Sequence, residues 1–263
     1  SLLTGSCALG LALSLVLPYF EVLGLLFLIP LLYLLKYSTK LSLKQFLWQC
    51  YLFGLVYFAI TLSWIYHIRA TDLIANNILA NFFKGLTFLI IMSALAVGFI
   101  VSGFLYRKLR IKVTDKTILF IPAIWVVGEY VRSVFFSVVS YGDGASIGPY
   151  WNFGHLGFTV STTPLGYASR LVGLYGLSFI IVLLAIAAFQ LLHKKYYYLL
   201  LLLIPFIFAV AGYSIYQKPS GKSINVQTVG LNPNDENEYQ SSLKKKLGQT
   251  SSHELTVLPE YSY

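Results

Sequence analysis

Charge is scarce in this chain of 263 residues: Asp, Glu, Lys and Arg together make up 11%, less than half of the roughly 25% usual in soluble domains. With 57% hydrophobic residues and a mean hydropathy of +0.72, that scarcity excludes an ordinary soluble protein and indicates one that lives in a bilayer. Cysteine is nearly absent. Cys7 and Cys50 both lie inside apolar runs, so neither a disulfide framework nor a zinc cluster can be built. Acid is outnumbered, 10 residues against 19 basic ones. The bases sit in short connections between apolar runs, which excludes a nucleic-acid surface and marks them as topology signals. Methionine occurs once, at Met92, and residue 1 is Ser. The first apolar run, Leu2 to Leu17, is also short of the roughly 20 residues a span needs. Both features lead to the expectation that the natural polypeptide extends beyond this sequence.

Apolar runs of spanning length occur at Phe46–Ile65, Gly85–Leu105, Thr117–Ser137, Leu171–Leu192 and Tyr196–Ile215. Two weaker runs, Leu2–Leu17 and Phe20–Leu35, flank Pro18 and Glu21 and read as a tight helical hairpin, for about seven spans in all. Lys36, Lys40 and Lys44, then Arg107, Lys108, Arg110, Lys112 and Lys116, then Lys194 and Lys195 fall in alternate connections. The positive-inside rule places these in the cytoplasm and everything after the seventh span outside. Tyr196, Tyr197 and Tyr198 open the last span, and Tyr213 and Tyr216 close it, as aromatic belts do.

From Lys222 the composition changes, dividing the chain into a membrane domain, 1–221, and the beginning of a second domain, 222–263. Ile224 to Val229 alternates like a strand. Asn234 can cap a helix that carries Asp235, Glu236 and Glu238 in its first turn and Lys244 to Lys246 in its last. Leu255 to Leu258 is a second strand, ended by Pro259, with Glu260 at its mouth. This strand–helix–strand order suits the start of an α/β domain, and about 40 residues cannot bury a core alone.

Four candidate residues lie in or near the fifth span. In "IWVVGEYVRS", Glu129 and Arg132 are three apart and can meet on one helical face, either as a structural pair or as the lining of a substrate cavity. In the connection that follows, Trp151 and Phe153 belong to a glycine-rich aromatic segment suited to the outer interface, either as an anchor or in contact with a lipid substrate. Gly142, Gly144 and Gly148 in that connection lack phosphate-loop spacing. His67 and His155 have no Cys, Asp or Glu at metal-ligand spacing, His193 reads as an anchor beside Lys194 and Lys195, and His253 as a solvated residue, so no residue is assigned to a metal.

Six segments together resemble the apolipoprotein N-acyltransferases of bacterial inner membranes: "LSWIYHI" at 62–68, "IWVVGEYVRS" at 124–133, "PYWNFGHLGF" at 149–158, "PLGYASRLVGLYGLSFII" at 164–181, "INVQTVGLNP" at 224–233 and "LTVLPE" at 255–260. The resemblance implies an α-helical polytopic membrane domain of about seven transmembrane helices, followed by a periplasmic nitrilase-like (αββα) domain and an eighth helix. It implies acyl transfer from a phospholipid to the diacylglyceryl-cysteine of a lipoprotein through a cysteine thioester, with no cofactor. Glu260 matches the glutamate base. The lysine and nucleophilic cysteine are expected beyond residue 263, so the chain as supplied is expected not to turn over alone. Leu258 stands where the family usually has tryptophan, and the expected "KW" after the first strand is missing. The membrane part of a polyprenol-phosphate mannosyltransferase is the nearest alternative within enzymes, and a transporter or scaffold the alternative outside them. Ionisable residues cluster toward the outer ends of the spans, which favours chemistry at that interface.

The orientation is testable by fusion. Alkaline phosphatase joined after Tyr263 is expected to be active and a fluorescent protein joined there to be dark; the reverse pattern overturns the assignment.

Overall fold

Long apolar stretches in this chain close their own backbone hydrogen bonds as helices, the only local solution open to a segment surrounded by hydrocarbon. The computed structural model describes residues 2–17, 23–67, 77–112, 116–142 and 146–215, and two strand segments, 226–228 and 255–257. Two compact units divide at residue 216.

The first unit contains α1 (Leu2–Val16), α2 (Leu23–Tyr37), α3 (Leu43–Thr61), α4 (Asn77–Lys108), α5 (Ile121–Val139), α6 (Ser169–Leu192) and α7 (Leu203–Ser214). Short 3-10 turns precede α5 and α7, at Lys116–Phe120 and Tyr196–Leu202. Among the described residues, five segments are long and apolar enough to cross a membrane: Leu43–Thr61, Asn77–Lys108, Lys116–Val139, Pro164–Leu192 and Tyr196–Ser214. The first hairpin forms as two shorter apolar helices.

Local chemistry explains several boundaries. Ser42 caps α3 in a reciprocal box, its hydroxyl accepting from Gln45 N at 3.3 Å while Gln45 Oε1 accepts from Ser42 N at 3.1 Å. The fourth apolar run starts its helix at Asn77, eight residues before the hydropathy signal at Gly85. At 32 residues, α4 measures about 48 Å at 1.5 Å per residue, well beyond a hydrocarbon core of about 30 Å. Within α6, Gly173 breaks the helix at φ 67° and ψ −172°, a left-handed φ that favours glycine.

Packing closes six of these helices into a ring. α1 packs on α2 and α3, α3 on α4, α4 on α5, α5 on α6, and α6 returns to α2. α7 lies outside, against α6 and the 3-10 turn Pro164–Ala168, with ring contact between Tyr167 and Tyr213 at 5.1 Å. The α4–α5 crossing depends on two glycines. A Cβ on Gly98 would lie 2.6 Å from the Gly128 carbonyl oxygen, and one on Gly128 would lie 2.8 Å from the Gly98 carbonyl oxygen. Small residues permit such close approach where apolar lipid offers no competing hydrophobic drive. Outward-facing Phe82, Leu200 and Phe206 are largely exposed, as befits surfaces turned to acyl chains.

The basic connections gather at one end of the ring. Arg107, near the end of α4, donates to Ser38 O at 3.1 Å and to Leu41 O at 2.5 Å, fastening the α2–α3 connection. Its guanidinium lies 5.3 Å from the Phe46 ring centre. Tyr106 adds a bond to Leu35 O at 3.1 Å.

In the second unit, β1 (Val226–Thr228) and β2 (Leu255–Val257) pair in parallel, with Val226 opposite Leu255 and Thr228 opposite Val257. Parallel neighbours require a crossover between them. The helix expected between them, from Asn234 to Gly248, lies outside the described residues, as do Pro259 and Glu260.

Candidate functional site

Helix α5 presents Trp125, Glu129, Arg132 and Ser133 at spacings of four, three and one, a single stripe along its length. At the end of the ring opposite the lysines, that stripe meets residues 148–160 of the α5–α6 connection. This connection has little regular structure of its own beyond the 3-10 turn Leu156–Val160, so its backbone groups need partners.

Side chains of α5 supply them. Arg132 donates from one terminal nitrogen to Phe153 O at 3.0 Å and Gly154 O at 2.8 Å. Glu129 Oε1 accepts from Leu156 N at 2.9 Å and from Trp125 Nε1 at 3.0 Å. Ser133 donates to Trp151 O at 2.7 Å, and Ser137 accepts from Gly148 N at 3.0 Å. Neighbouring helices complete the clamp: Tyr57 of α3 donates to Gly154 O at 2.9 Å, and Ser178 of α6 accepts from Gly157 N at 2.9 Å. Gly154 is held at φ 61°, and a Cβ there would come within 2.9 Å of Phe58 and 3.0 Å of Tyr57. Both its freedom and its small size are required.

The two charges are buried, each with 2% of its surface exposed, and stand 4.0 Å apart. They form the expected pair, and their hydrogen bonds go chiefly to the loop backbone. Arg132 also lies 5.0 Å from the Phe58 ring centre, a favourable cation–π placement once desolvated. His155 is wholly buried between Ser133, with Nε2 3.2 Å from the hydroxyl, and Glu129, with Nδ1 3.8 Å from Oε2. Burial first, and the Arg132 charge second, push the His155 pKa down to about 3. The ring is therefore neutral near pH 7, and its approach to Glu129 is a polar contact rather than an ion pair.

With its polar backbone turned inward, the loop turns aromatic rings outward. Trp151 and Phe153 pack at a tilt with ring centres 5.5 Å apart, Phe153 meets Trp64 at 6.2 Å, and Trp151 meets Phe136 edge-on at 5.2 Å. Trp64, Trp151, Phe153 and Phe158, with Leu15 and Val16 of α1, line a groove enclosing about 850 Å³ of unfilled space, counting its open mouth. Of the four candidates in this region, Trp151 and Phe153 thus border a groove, whereas Glu129 and Arg132 lie behind it and do not. Glu260 lies outside the described residues.

Sequence reasoning singled out neither Tyr57 nor Ser178, and it weighed His155 only as a metal ligand. Ser133 carried one usable signal: it is four residues from Glu129 on the same helix, hence on the same face. The others come from distant segments.

Residues 8–187 match the sequence model of the apolipoprotein N-acyltransferase N-terminal domain. An apolipoprotein N-acyltransferase of Coxiella burnetii (strain RSA 493 / Nine Mile phase I) is 27% identical over 188 residues, covering 69% of this chain and 36% of the relative. The chain thus spans little more than a third of the length of that curated relative. The clamp and groove residues fall inside the family match; Glu260 falls outside it.

Two measurements test the clamp. Glu129→Ala leaves Arg132 buried without its carboxylate and is expected to cost about 3–5 kcal/mol, while Glu129→Gln keeps an acceptor for Trp125 and Leu156 and costs less. Unfolding in micelles should show that order, and a Glu129→Ala protein as stable as wild type contradicts it. For His155, the native value lies below the unfolded value of about 6.5, so the unfolded chain binds the extra proton. Its contribution is intact above pH 6.5 and is lost as pH falls from there toward 3, at up to about 1.4 kcal/mol per pH unit. His155→Gln should flatten that slope; an unchanged slope refutes the neutral buried ring.

Proposed function

The chain belongs to the apolipoprotein N-acyltransferase family, an acyltransferase family, and we propose that it serves as the membrane platform for N-acylation of bacterial lipoproteins. The observation that carries this reading is the family match over residues 8–187, which includes the whole aromatic groove and the clamp behind it. Both substrates of such a reaction are lipids, so the catalytic machinery must work at the membrane surface with access to acyl chains. A groove lined by Trp64, Trp151 and Phe153 at one end of a helical ring suits that need: aromatic rings offer large apolar area at the interface where a polar headgroup meets hydrocarbon.

In this reading the lysine-rich end faces the cytoplasm of a bacterial inner membrane, seven helices cross it, and residues 222–263 begin a periplasmic nitrilase-like domain. α7 ends at Ser214 beside the turn Pro164–Ala168, so the chain leaves the bundle at the same end as the groove. Trp151 and Phe153 hold an acyl chain of the phospholipid donor. Glu129 and Arg132 act through them as positioning residues, since their clamp fixes the loop. Glu260 is the general base, taking the proton of a cysteine thiol as that sulfur attacks the donor's ester carbonyl and releases a lysophospholipid. The lipoprotein's α-amino group then attacks the thioester and frees the thiol. Cys7 and Cys50 do not fill the nucleophile's role, for both lie within helices of the bundle.

The full-length protein in phospholipid vesicles, with thioester and acylated lipoprotein peptide followed by mass spectrometry, tests the assignment. Glu260→Gln is expected to abolish the thioester while the protein still inserts. Trp151→Ala with Phe153→Ala is expected to raise KM for the phospholipid about tenfold, equivalent to roughly 1.4 kcal/mol, with kcat little changed. Undiminished acylation by the Glu260 variant removes the base assignment, and an unchanged KM removes the groove.

A further inference from the structure

One contact inside the clamp stays open. His155 Nδ1 and Glu129 Oε2 face each other at 3.8 Å, beyond the roughly 3.2 Å at which nitrogen and oxygen share a hydrogen bond. Both atoms are sealed from solvent, and neither has a hydrogen-bond partner among the described residues. The other polar atom of each side chain is occupied. Glu129 Oε1 accepts from Leu156 N and Trp125 Nε1, and His155 Nε2 lies 3.2 Å from the Ser133 hydroxyl.

That hydroxyl decides which ring nitrogen carries the proton. A serine has one hydrogen to donate, and Ser133 donates it to Trp151 O at 2.7 Å. Its oxygen can only accept from His155, so in the neutral ring Nε2 holds the hydrogen and Nδ1 is a bare lone pair. Nδ1 therefore meets a carboxylate oxygen acceptor to acceptor, in a buried place where polar atoms need partners. Whatever lies between them must donate two hydrogens at once. It must also be uncharged, because Arg132, 4.0 Å from Glu129, already offsets the carboxylate. A metal ion would find two ligands there rather than the four that zinc takes, beside a guanidinium. Water meets both demands, and a water about 2.8 Å from each atom spans the gap. Its oxygen then needs a donor. Tyr175 of α6 has a buried hydroxyl that also lacks a partner among the described residues, and its ring centre lies 4.8 Å from that of His155. Three such partners are the usual complement of a buried water.

We propose that Glu129, His155 and Tyr175 bind one structural water, which donates to Oε2 and Nδ1 and accepts from the Tyr175 hydroxyl. The site joins α5, the connection that follows it, and α6. Through it both carboxylate oxygens of Glu129 serve the loop: Oε1 directly at Leu156, and Oε2 through the water at His155. The water is thereby part of what seats the segment bearing Trp151 and Phe153. The site goes beyond the acyl-transfer reading and does not depend on it, since it needs only the buried clamp.

Solid-state NMR of the full-length protein in phospholipid bilayers, labelled with nitrogen-15 at histidine, tests it; the ring signals missing from His155→Gln belong to His155. Near neutral pH the His155 ring is expected to be neutral with its proton on Nε2, and magnetisation is expected to pass from water protons to Nδ1. Tyr175→Phe, which removes the donor to the water, should reduce that transfer at least threefold. Because the substitution could loosen the bundle, a density map of the wild-type protein that resolves ordered water supplies a separate measure: a peak within about 3.2 Å of both Nδ1 and Oε2 is expected. A proton on Nδ1, no transfer from water, undiminished transfer in a folded Tyr175→Phe protein, or empty density between the two atoms overturns the proposal.

Discussion

A loop that crosses the end of a membrane bundle must find partners for its backbone, because the surroundings offer little water to take their place. In this protein the requirement is met by two charges on one helix. Arg132 supplies donors to the Phe153 and Gly154 carbonyls, and Glu129 supplies an acceptor to the Leu156 N–H. Either charge alone would be costly to bury; as neighbours they offset each other while serving opposite needs of the same loop. Ser133, Ser137, Tyr57 and Ser178 extend the arrangement to both ends of the segment. The polar side of the loop is consumed by the bundle, and Trp151 and Phe153 are left to face the groove.

The ring of six helices gives that clamp its footing. Gly98 of α4 leaves room for Arg132 of α5, since a Cβ there would lie 2.8 Å from the Arg132 Cβ. The same closure produces two ends of different character. Where the loop folds back, the ring ends in aromatic side chains over buried charges. Where the short connections cluster, it ends in lysine and arginine.

Hydropathy made the five long spans legible, since every residue in such a run must tolerate lipid. It missed the first turns of α4, where Asn77, Asn81 and Lys84 interrupt the apolar signal although the helix continues. The Glu129–Arg132 pairing was legible from a spacing of three. Its target was not: Phe153, Gly154 and Leu156 lie more than 20 residues along the chain, and no local pattern identifies which carbonyl an arginine will meet. His155 was legible only as a histidine without metal-ligand neighbours; its burial against Ser133 and Glu129 depends on the fold of the whole loop. The two strands were legible from their alternation and β-branched residues, and their parallel pairing accords with the strand–helix–strand order read there.

By itself the sequence determined that this chain is membrane-embedded, which end of the bundle carries the cations, and which family motifs it bears. These properties are sums or short-range patterns: transfer energy accumulates residue by residue, and charges in connections need no tertiary contact to be counted. Only the tertiary structure decided that Glu129 and Arg132 turn to the loop rather than to the groove, and that Trp151 and Phe153 line the groove together. Those outcomes depend on which helices become neighbours. A hydrogen bond or a cavity wall needs atoms from segments far apart in the chain to arrive within a few ångströms of one another.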